Sequence, residues 1–137
     1  MKLVSACLLG IKCRYDGKSK PDSKVLELAK IETLIPVCPE QLGGLATPRV
    51  SAEQMNGKVI AKDGTDMTEG FKRGAEEVLK LAKIYNCKTA ILKQRSPSCG
   101  SGQIYDGTFS GTVIEGDGVT TKLLKENGIE VVSEEEL

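Results

Sequence analysis

Short apolar runs alternate with longer segments of helical periodicity along this chain. The runs lie at residues 2–6, 34–37, 89–92 and 129–132. Short apolar runs between turn signals predict buried strands. Pro36 has no backbone N–H to donate, so the strand that contains it is expected to lie at an edge of the sheet or to pair irregularly.

Three longer segments predict helices. They cover residues 23–31, 68–85 and 119–127. In the second segment, apolar side chains recur every three or four residues, as on the buried face of an amphipathic helix. Asp66 and Glu69 have capping-box spacing at its start. Asp117 is expected to cap the third helix, and Gly128 is expected to end it.

The alternation of strands and helices predicts an α/β fold. We expect a small Rossmann-like three-layer sandwich, with a mostly parallel sheet between helices, formed as one domain by residues 1–137. Turn residues flank the segment 58–61, which indicates a hairpin or a lid. The glycine-rich stretch from 94 to 118 is expected to contain short strands near 104–105 and 112–114.

The charge balance limits the classes of partner. Nineteen basic residues balance nineteen acidic ones, so no net field attracts the protein to nucleic acid or to a membrane. The apolar start of the chain is too short for a membrane span and does not have the pattern of a signal peptide. We therefore expect a cytoplasmic protein with reduced cysteines. The acidic residues 133–137 are interpreted as a solvated terminus.

Histidine is absent from the sequence. This absence excludes Ser-His and Cys-His nucleophile pairs, imidazole acid–base catalysis and mixed Cys/His zinc sites. Protons must then be moved by a carboxylate, lysine, tyrosine, cysteine or water.

The five cysteines occupy different positions on the predicted sheet. Cys7, Cys38 and Cys99 each follow the carboxyl end of a predicted strand. Because the carboxyl ends of parallel strands meet at one edge, these three thiols are expected at one crevice. Cys87 precedes a strand and is expected at the opposite edge, whereas Cys13 lies in the first loop and can point either way.

Spacing alone leaves two interpretations of these thiols open. Free cysteines are often small buried hydrophobic residues. The glycine, proline and charged residues around Cys7, Cys38 and Cys99 instead favour a functional site. Three thiolates without histidine suit an iron–sulfur cluster better than a closed zinc site, which needs four ligands.

Several motifs in the chain resemble those of one known family. They are SACLLG (5–10) with RYDG (14–17), VCPE (37–40) with GGL (43–45) and PR (48–49), LK (92–93) with SPSCG (96–100), and DGTF (106–109). In this order they resemble the motifs of the 2-thiouracil desulfurase family, over nearly the whole chain.

The resemblance implies a reaction and a cofactor. The reaction is non-redox, hydrolytic desulfuration of a thiolated pyrimidine, in which 2-thiouracil and water give uracil and hydrogen sulfide. The cofactor is a 4Fe-4S cluster held by Cys7, Cys38 and Cys99, with one open iron that binds the substrate sulfur.

The remaining motif residues are assigned roles as predictions. Without histidine, Glu40 is the best-placed group to move protons, and Ser98 is the second catalytic candidate. The alternatives are a loop-capping carboxylate and a serine that only braces a turn. The predicted substrate-binding residues are Arg14, Arg49, Lys93 and Ser96.

Two other functions stay open. One is a cluster-free thiol enzyme or sulfur carrier that uses Cys99 as its nucleophile. The other is a non-catalytic iron–sulfur or metal-binding module.

Overall fold

The computed structural model describes residues 1–137. Its strands are β1 (Lys2–Ser5), β2 (Leu34–Val37), β3 (Ala52–Met55), β4 (Lys58–Ala61), β5 (Thr89–Leu92), β6 (Gln103–Tyr105), β7 (Val113–Glu115) and β8 (Glu130–Ser133). Its helices are α1 (Ser23–Ala29), α2 (Pro39–Leu42), α3 (Thr68–Ile84) and α4 (Val119–Glu126). Two 3₁₀ turns cover Ala6–Leu9 and Glu134–Glu136.

The central sheet has four parallel strands in the order β2-β1-β5-β8. Strand β2, which contains Pro36, lies at an edge as predicted. The chain leaves β1 toward β2 on one side and later returns to place β5 on the other side. The strand order therefore reverses between β1 and β5, where open α/β sheets bind their ligands at the carboxyl edge.

Helices cover both faces of this sheet, because alternate side chains of each strand point to opposite faces. On one face, Leu3 and Leu92 pack in a buried cluster with Val78 of α3 and Leu124 of α4. On the other face, Val4 and Ile91 pack in a second cluster with Val25 of α1. The predicted three-layer α/β class is confirmed.

Two antiparallel hairpins lie outside the central sheet. Strands β3 and β4 pair from Ala52 to Ala61, and β6 and β7 pair from Gln103 to Glu115. The first lies at the predicted hairpin, and β6 and β7 lie at the two predicted short strands, whose pairing was not predicted. None of the helices is long and apolar enough to cross a membrane.

The predicted N-terminal caps of α3 and α4 are wrong, but Gly128 ends α4 as predicted, with φ of 78°. Helix α3 begins after Met67 without a side-chain cap, and Asp66 instead accepts a hydrogen bond from the Thr68 N–H. Helix α4 begins after Gly118, and the carboxylate of Asp117 accepts hydrogen bonds elsewhere. The two carboxylates serve turn and loop contacts that the spacing could not distinguish from caps.

The interpretation of residues 133–137 as a solvated terminus is wrong for the first two residues. Ser133 belongs to β8 and is fully buried, and Glu134 is 9% exposed. Ser133 and Glu136 form a capping box that fixes the last turn against the sheet. Residues 133 and 134 are therefore part of the packed structure, whereas residues 135–137 are exposed.

Candidate functional site

A cavity of about 390 Å³ opens at the carboxyl edge of the sheet. It lies beside the ends of β1, β2 and β5, at the point where the strand order reverses. Every site residue predicted from the sequence lines this cavity, namely Cys7, Arg14, Cys38, Glu40, Arg49, Lys93, Ser96, Ser98 and Cys99. The topology thus brings together segments that are far apart along the chain.

Four cysteine thiols contribute to the cavity wall. Cys7 lies in the 3₁₀ turn after β1, Cys38 lies between β2 and α2, and Cys99 lies in the loop after β5. Cys13, whose direction the sequence left open, also lines the cavity. Cys87 is buried in the core cluster on the α3 face and does not line the cavity, in line with its predicted position.

The surroundings of Cys13, Cys38 and Cys99 raise the pKa of each thiol and favour its protonated form. Burial raises the pKa of Cys99 to about 12. Contact with the Cys13 thiol, together with burial, raises the pKa of Cys38 far above its ordinary value. The Cys38 contact lowers the pKa of Cys13, but contact with Cys7 and burial outweigh this effect and raise it overall. Buried thiols of this kind are poor nucleophiles unless a metal deprotonates them.

The loop that carries Cys99 is held by backbone and hydroxyl hydrogen bonds. The Ser96 hydroxyl oxygen accepts hydrogen bonds from the N–H groups of Ser98 and Cys99, at 3.2 and 3.1 Å. The first amides of α4 donate to carbonyl groups of the same loop. A Cβ atom at Gly118 would lie 2.4 Å from the Ser98 carbonyl carbon, so α4 touches this loop without an intervening side chain.

A chain of hydroxyl groups connects this loop to Glu40. The oxygens of Ser96 and Ser98 lie 2.9 Å apart, and the Ser98 hydroxyl donates to Glu40 Oε2 at 2.8 Å. Since Ser96 already accepts two N–H bonds, its own proton is available to Ser98. The Ser98 oxygen also lies 3.5 Å from the sulfur of Cys99. A chain of hydrogen bonds therefore runs from the carboxylate to the side of the cavity where Cys99 lies.

Glu40 is fixed in place by its helix and by one cation. Helix α2 packs directly on the backbone of α3, since a Cβ at Gly43 would lie 2.0 Å from the Gly70 oxygen. Arg49 donates from Nε to Glu40 Oε1 at 3.0 Å, and the two side chains are only 6% and 16% exposed. Both oxygens of the carboxylate are therefore oriented, one by the guanidinium and one by Ser98.

Most donors of Arg49 are used within the protein. Besides Glu40, it donates to the carbonyl oxygens of Ala46 and Cys13 and to the Thr47 hydroxyl. An arginine has five N–H donors, so one N–H remains for a ligand. Contact between Arg49 and a substrate stays a prediction, and bracing of Glu40 is the observed arrangement.

The other two predicted cations differ in their surroundings. The Lys93 ammonium forms an ion pair with Glu134 at 3.1 Å, and both groups are largely buried. Arg14 has no carboxylate partner and stacks over the ring of Tyr15, with 5.6 Å from the guanidinium carbon to the ring centroid. Among these cations, Arg14 is the one with most freedom to meet an anionic or polar group in the cavity.

Sequence reasoning missed an aromatic side of the cavity. Tyr105 and Phe109 of the β6–β7 hairpin line it together with Tyr15. Phe109 has a left-handed backbone with φ of 56°, which is unusual for a bulky residue. The Glu53 carboxylate accepts hydrogen bonds from the N–H groups of Gly107 and Phe109 and holds this turn. The DGTF motif in the sequence marks this turn, but the carboxylate that holds the turn comes from Glu53, which is distant in sequence.

Comparison with known proteins supports a close relationship over the whole chain. The sequence model of the 2-thiouracil desulfurase family matches residues 3–136. This chain belongs to the 2-thiouracil desulfurase family. The resemblance predicted from the motifs is confirmed, and so is the class of enzyme.

Two individual proteins are similar to this member of the family. An uncharacterized protein of Bacillus subtilis strain 168, YbbK, is 46% identical, with 100% of this chain and 97% of that protein covered. The solved structure of TudS, a [4Fe-4S]-dependent thiouracil desulfidase, is also 46% identical and superposes with a TM-score of 0.94. That match covers 99% of this chain and 91% of the TudS chain.

The donor set of the cavity agrees with an iron–sulfur cluster. Thiolates are the ligands of such clusters, and each cysteine binds a different iron atom, so the sulfurs need not converge on one point. No group of three or more His, Cys, Asp and Glu side chains has the geometry to hold a single metal ion. Four thiols around one cavity, without histidine and with Glu40 already paired, therefore fit a cluster in their chemistry.

Proposed function

We propose that this protein is a 4Fe-4S-dependent thiouracil desulfurase that hydrolyses 2-thiouracil to uracil and hydrogen sulfide. The observation that carries the proposal is the convergence of Cys7, Cys38 and Cys99 on one cavity with Glu40 and Ser98 beside them. Family membership supports the reaction, and the similarity to TudS supports the cofactor.

Cys7, Cys38 and Cys99 are the proposed cluster ligands. Each follows the carboxyl end of a different strand, and the loop that carries Cys99 is also held by the Ser96 hydroxyl. When bound, a cluster with three protein ligands supplies one open iron, a Lewis acid that can polarise the C=S bond of the substrate. The Ser98 hydroxyl donates its one proton to Glu40, and its oxygen lies 3.5 Å from the Cys99 sulfur, so it connects the proposed ligand to the carboxylate.

Glu40 is the proposed general base and acid. Water adds to the carbon that carries sulfur while one proton passes to Glu40, either directly or through Ser98. The C–S bond then breaks and sulfur leaves with the bonding electron pair, while the added hydroxyl loses its proton and becomes the carbonyl of uracil. Both protons of the water, one of them by way of Glu40, end on sulfur as hydrogen sulfide. The overall reaction consumes one water and needs no oxidant or reductant.

The charged and hydroxyl groups around Glu40 have supporting roles. Arg49 orients the carboxylate in a partly buried position. Ser96 places the Ser98 hydroxyl and the Cys99 backbone through three hydrogen bonds. Arg14 and Lys93 supply positive charge where negative charge develops on the pyrimidine.

Among the alternatives, a cluster-free thiol enzyme has the least support. Its nucleophile would be Cys99, which is 4% exposed and has a pKa raised to about 12 by burial. A reactive cysteine is usually partly exposed, with its pKa lowered by a nearby cation or helix N-terminus.

We also propose that the substrate is a small thiolated pyrimidine rather than nucleic acid, and that the protein is cytoplasmic.

The proposal is tested with anaerobically reconstituted protein and 2-thiouracil. Uracil and sulfide are quantified together, and iron and acid-labile sulfide are measured in each variant. Glu40→Gln is expected to lower kcat by about 10² to 10⁴, the usual contribution of a general acid–base group, with iron content unchanged. Ser98→Ala is expected to lower kcat as well, whereas Ser110→Ala, in the exposed part of the β6–β7 hairpin, is the matched control. Full activity of Glu40→Gln at normal iron content would refute the assigned role.

A further inference from the structure

We propose that Glu134, in the last turn of the chain, is a positioning residue that holds the Lys93 ammonium at the cavity wall. Glu134 itself does not line the cavity, but Lys93 does. The role of this contact in catalysis depends on the proposed desulfuration, whereas the placement of Lys93 does not.

Glu134 uses both carboxylate oxygens on consecutive residues of the cavity loop. Oε1 accepts a hydrogen bond from the Gln94 N–H at 2.7 Å, and Oε2 pairs with the Lys93 ammonium at 3.1 Å. The Lys93 ammonium also donates to the Gln94 carbonyl oxygen at 3.1 Å. One carboxylate therefore fixes a backbone amide and the neighbouring side chain at the same time.

Burial makes this contact stronger than an ordinary surface ion pair. The side chains of Lys93 and Glu134 are 19% and 9% exposed, whereas those of the surface pair Lys30 and Glu27 are 69% and 71% exposed. Exposed pairs contribute little, but removing one member of a buried pair leaves the other charge without compensation. Without Glu134, the Lys93 ammonium keeps only its hydrogen bond to the Gln94 carbonyl oxygen, so its flexible side chain can move away from this position.

The backbone around Glu134 is itself fixed, so the carboxylate is well oriented. Strand β8 pairs with β5 in a register that places Ser133 opposite Leu92, directly before Lys93. The capping box between Ser133 and Glu136 closes the turn. On the other side of Lys93, its N–H donates to the Ser5 hydroxyl at 2.9 Å, close to the turn that carries Cys7. The lysine is thus held between the end of β1 and the end of the chain.

Glu135 offers a matched control on the next residue. Its carboxylate pairs with Arg95, and both groups are more exposed than Lys93 and Glu134. Glu134→Gln keeps an oxygen acceptor for the Gln94 N–H but removes the charge that faces Lys93. Glu135→Gln removes a charge of the same sign one position along the chain.

The first measurement reads the placement of Lys93 without using enzyme activity. Cluster-loaded protein is treated with the N-hydroxysuccinimide ester of acetic acid, and acylation of each lysine is followed by peptide mass spectrometry. In the native protein we expect Lys93 to react at least several-fold more slowly than Lys30. We expect Glu134→Gln to remove most of this protection and Glu135→Gln to leave it. Unchanged protection of Lys93 in folded Glu134→Gln protein would overturn the proposal.

The second measurement is a double-substitution cycle on kcat/KM for 2-thiouracil. Glu134→Gln and Lys93→Met are each expected to lower kcat/KM by about tenfold or more, the scale of a hydrogen bond to a charged group. Because Glu134 acts through Lys93, the double variant is expected to be no worse than Lys93→Met alone. Fully additive losses would overturn the positioning role.

The outcomes also separate this proposal from the proposed function. If the native protein releases no sulfide from 2-thiouracil, the proposed function fails, and the acylation experiment still decides where Glu134 places Lys93. If Glu134→Gln does not fold, Glu134→Asp keeps the charge on a shorter side chain. We then expect partial protection of Lys93, and full protection together with native kcat/KM would contradict the need for this geometry.

Discussion

Replacing Arg49 with methionine tests whether this arginine mainly braces Glu40 or mainly contacts the substrate. The substitution removes the guanidinium but keeps an unbranched side chain in a largely buried position. Removing one member of a buried ion pair costs about 3 to 5 kcal/mol. The Arg49 and Glu40 side chains are 6% and 16% exposed, so solvent compensates little of this loss.

The expected change in melting temperature follows from the length of the chain. Unfolding entropy near the midpoint is about 2.1 cal/mol/K per residue, or about 0.29 kcal/mol/K for 137 residues. A loss of about 3 to 5 kcal/mol then lowers the melting temperature by about 10 to 17 °C. We also expect kcat to fall, since Glu40 is no longer oriented.

Scanning calorimetry and steady-state kinetics on Arg49→Met and Arg14→Met give the comparison. Arg14 lines the same cavity but has no carboxylate partner. Arg14→Met is therefore expected to raise KM with little change in melting temperature. If Arg49→Met kept the native melting temperature and raised only KM, the bracing role would be refuted and the role predicted from the sequence would be favoured.

Three further substitutions or conditions have defined outcomes. Gly118→Ala places a methyl group 2.5 Å from the Cys99 nitrogen, so we expect a loss of about 1 to 3 kcal/mol in stability and a lower iron content by chemical assay. Cys13→Ser is expected to keep native iron content and Cys38→Ser to lose it, and the reverse result would exchange their roles. In cluster-free protein, burial raises the pKa of Cys99 from its ordinary value of 9.0 to about 12. Below pH 9 the thiol is protonated in both the folded and the unfolded state, and the stability is fully present. As the pH rises from 9 toward 12, the unfolded state loses this proton first, so the free energy of unfolding falls. Thermal melts between pH 8 and about 11 are expected to show this decline, and it is expected to be smaller in Cys99→Ala.

The sheet and the positions of the cysteines could be predicted because their signals are local. Strand β5 is a short apolar run before a loop of serine, proline and glycine, and Cys99 lies in that loop. Cys7 and Cys38 likewise follow the ends of the short apolar strands β1 and β2. Once the strands are parallel, their common polarity brings the three thiols to one edge.

The side-chain partnerships could not be predicted, because they join positions far apart in the sequence. The Ser98 hydroxyl reaches Glu40 across 58 positions, and Gln94 reaches Glu134 across 40. The direction of Cys13 depends on the 3₁₀ turn that follows β1 and ends at Gly10, where φ is 97°. An acidic chain end has the same composition whether it is solvated or buried, so burial of Glu134 required the structure.

The most direct test of the account is a single-turnover experiment on the cluster-loaded protein under anaerobic conditions. The enzyme is mixed with less than one equivalent of 2-thiouracil, and uracil and sulfide are measured over time in the native protein and in Glu40→Gln. The account predicts equal amounts of uracil and sulfide in the native protein and a much slower release of both in the variant at equal iron content. Failure of the native, fully loaded protein to form uracil would contradict the central claim.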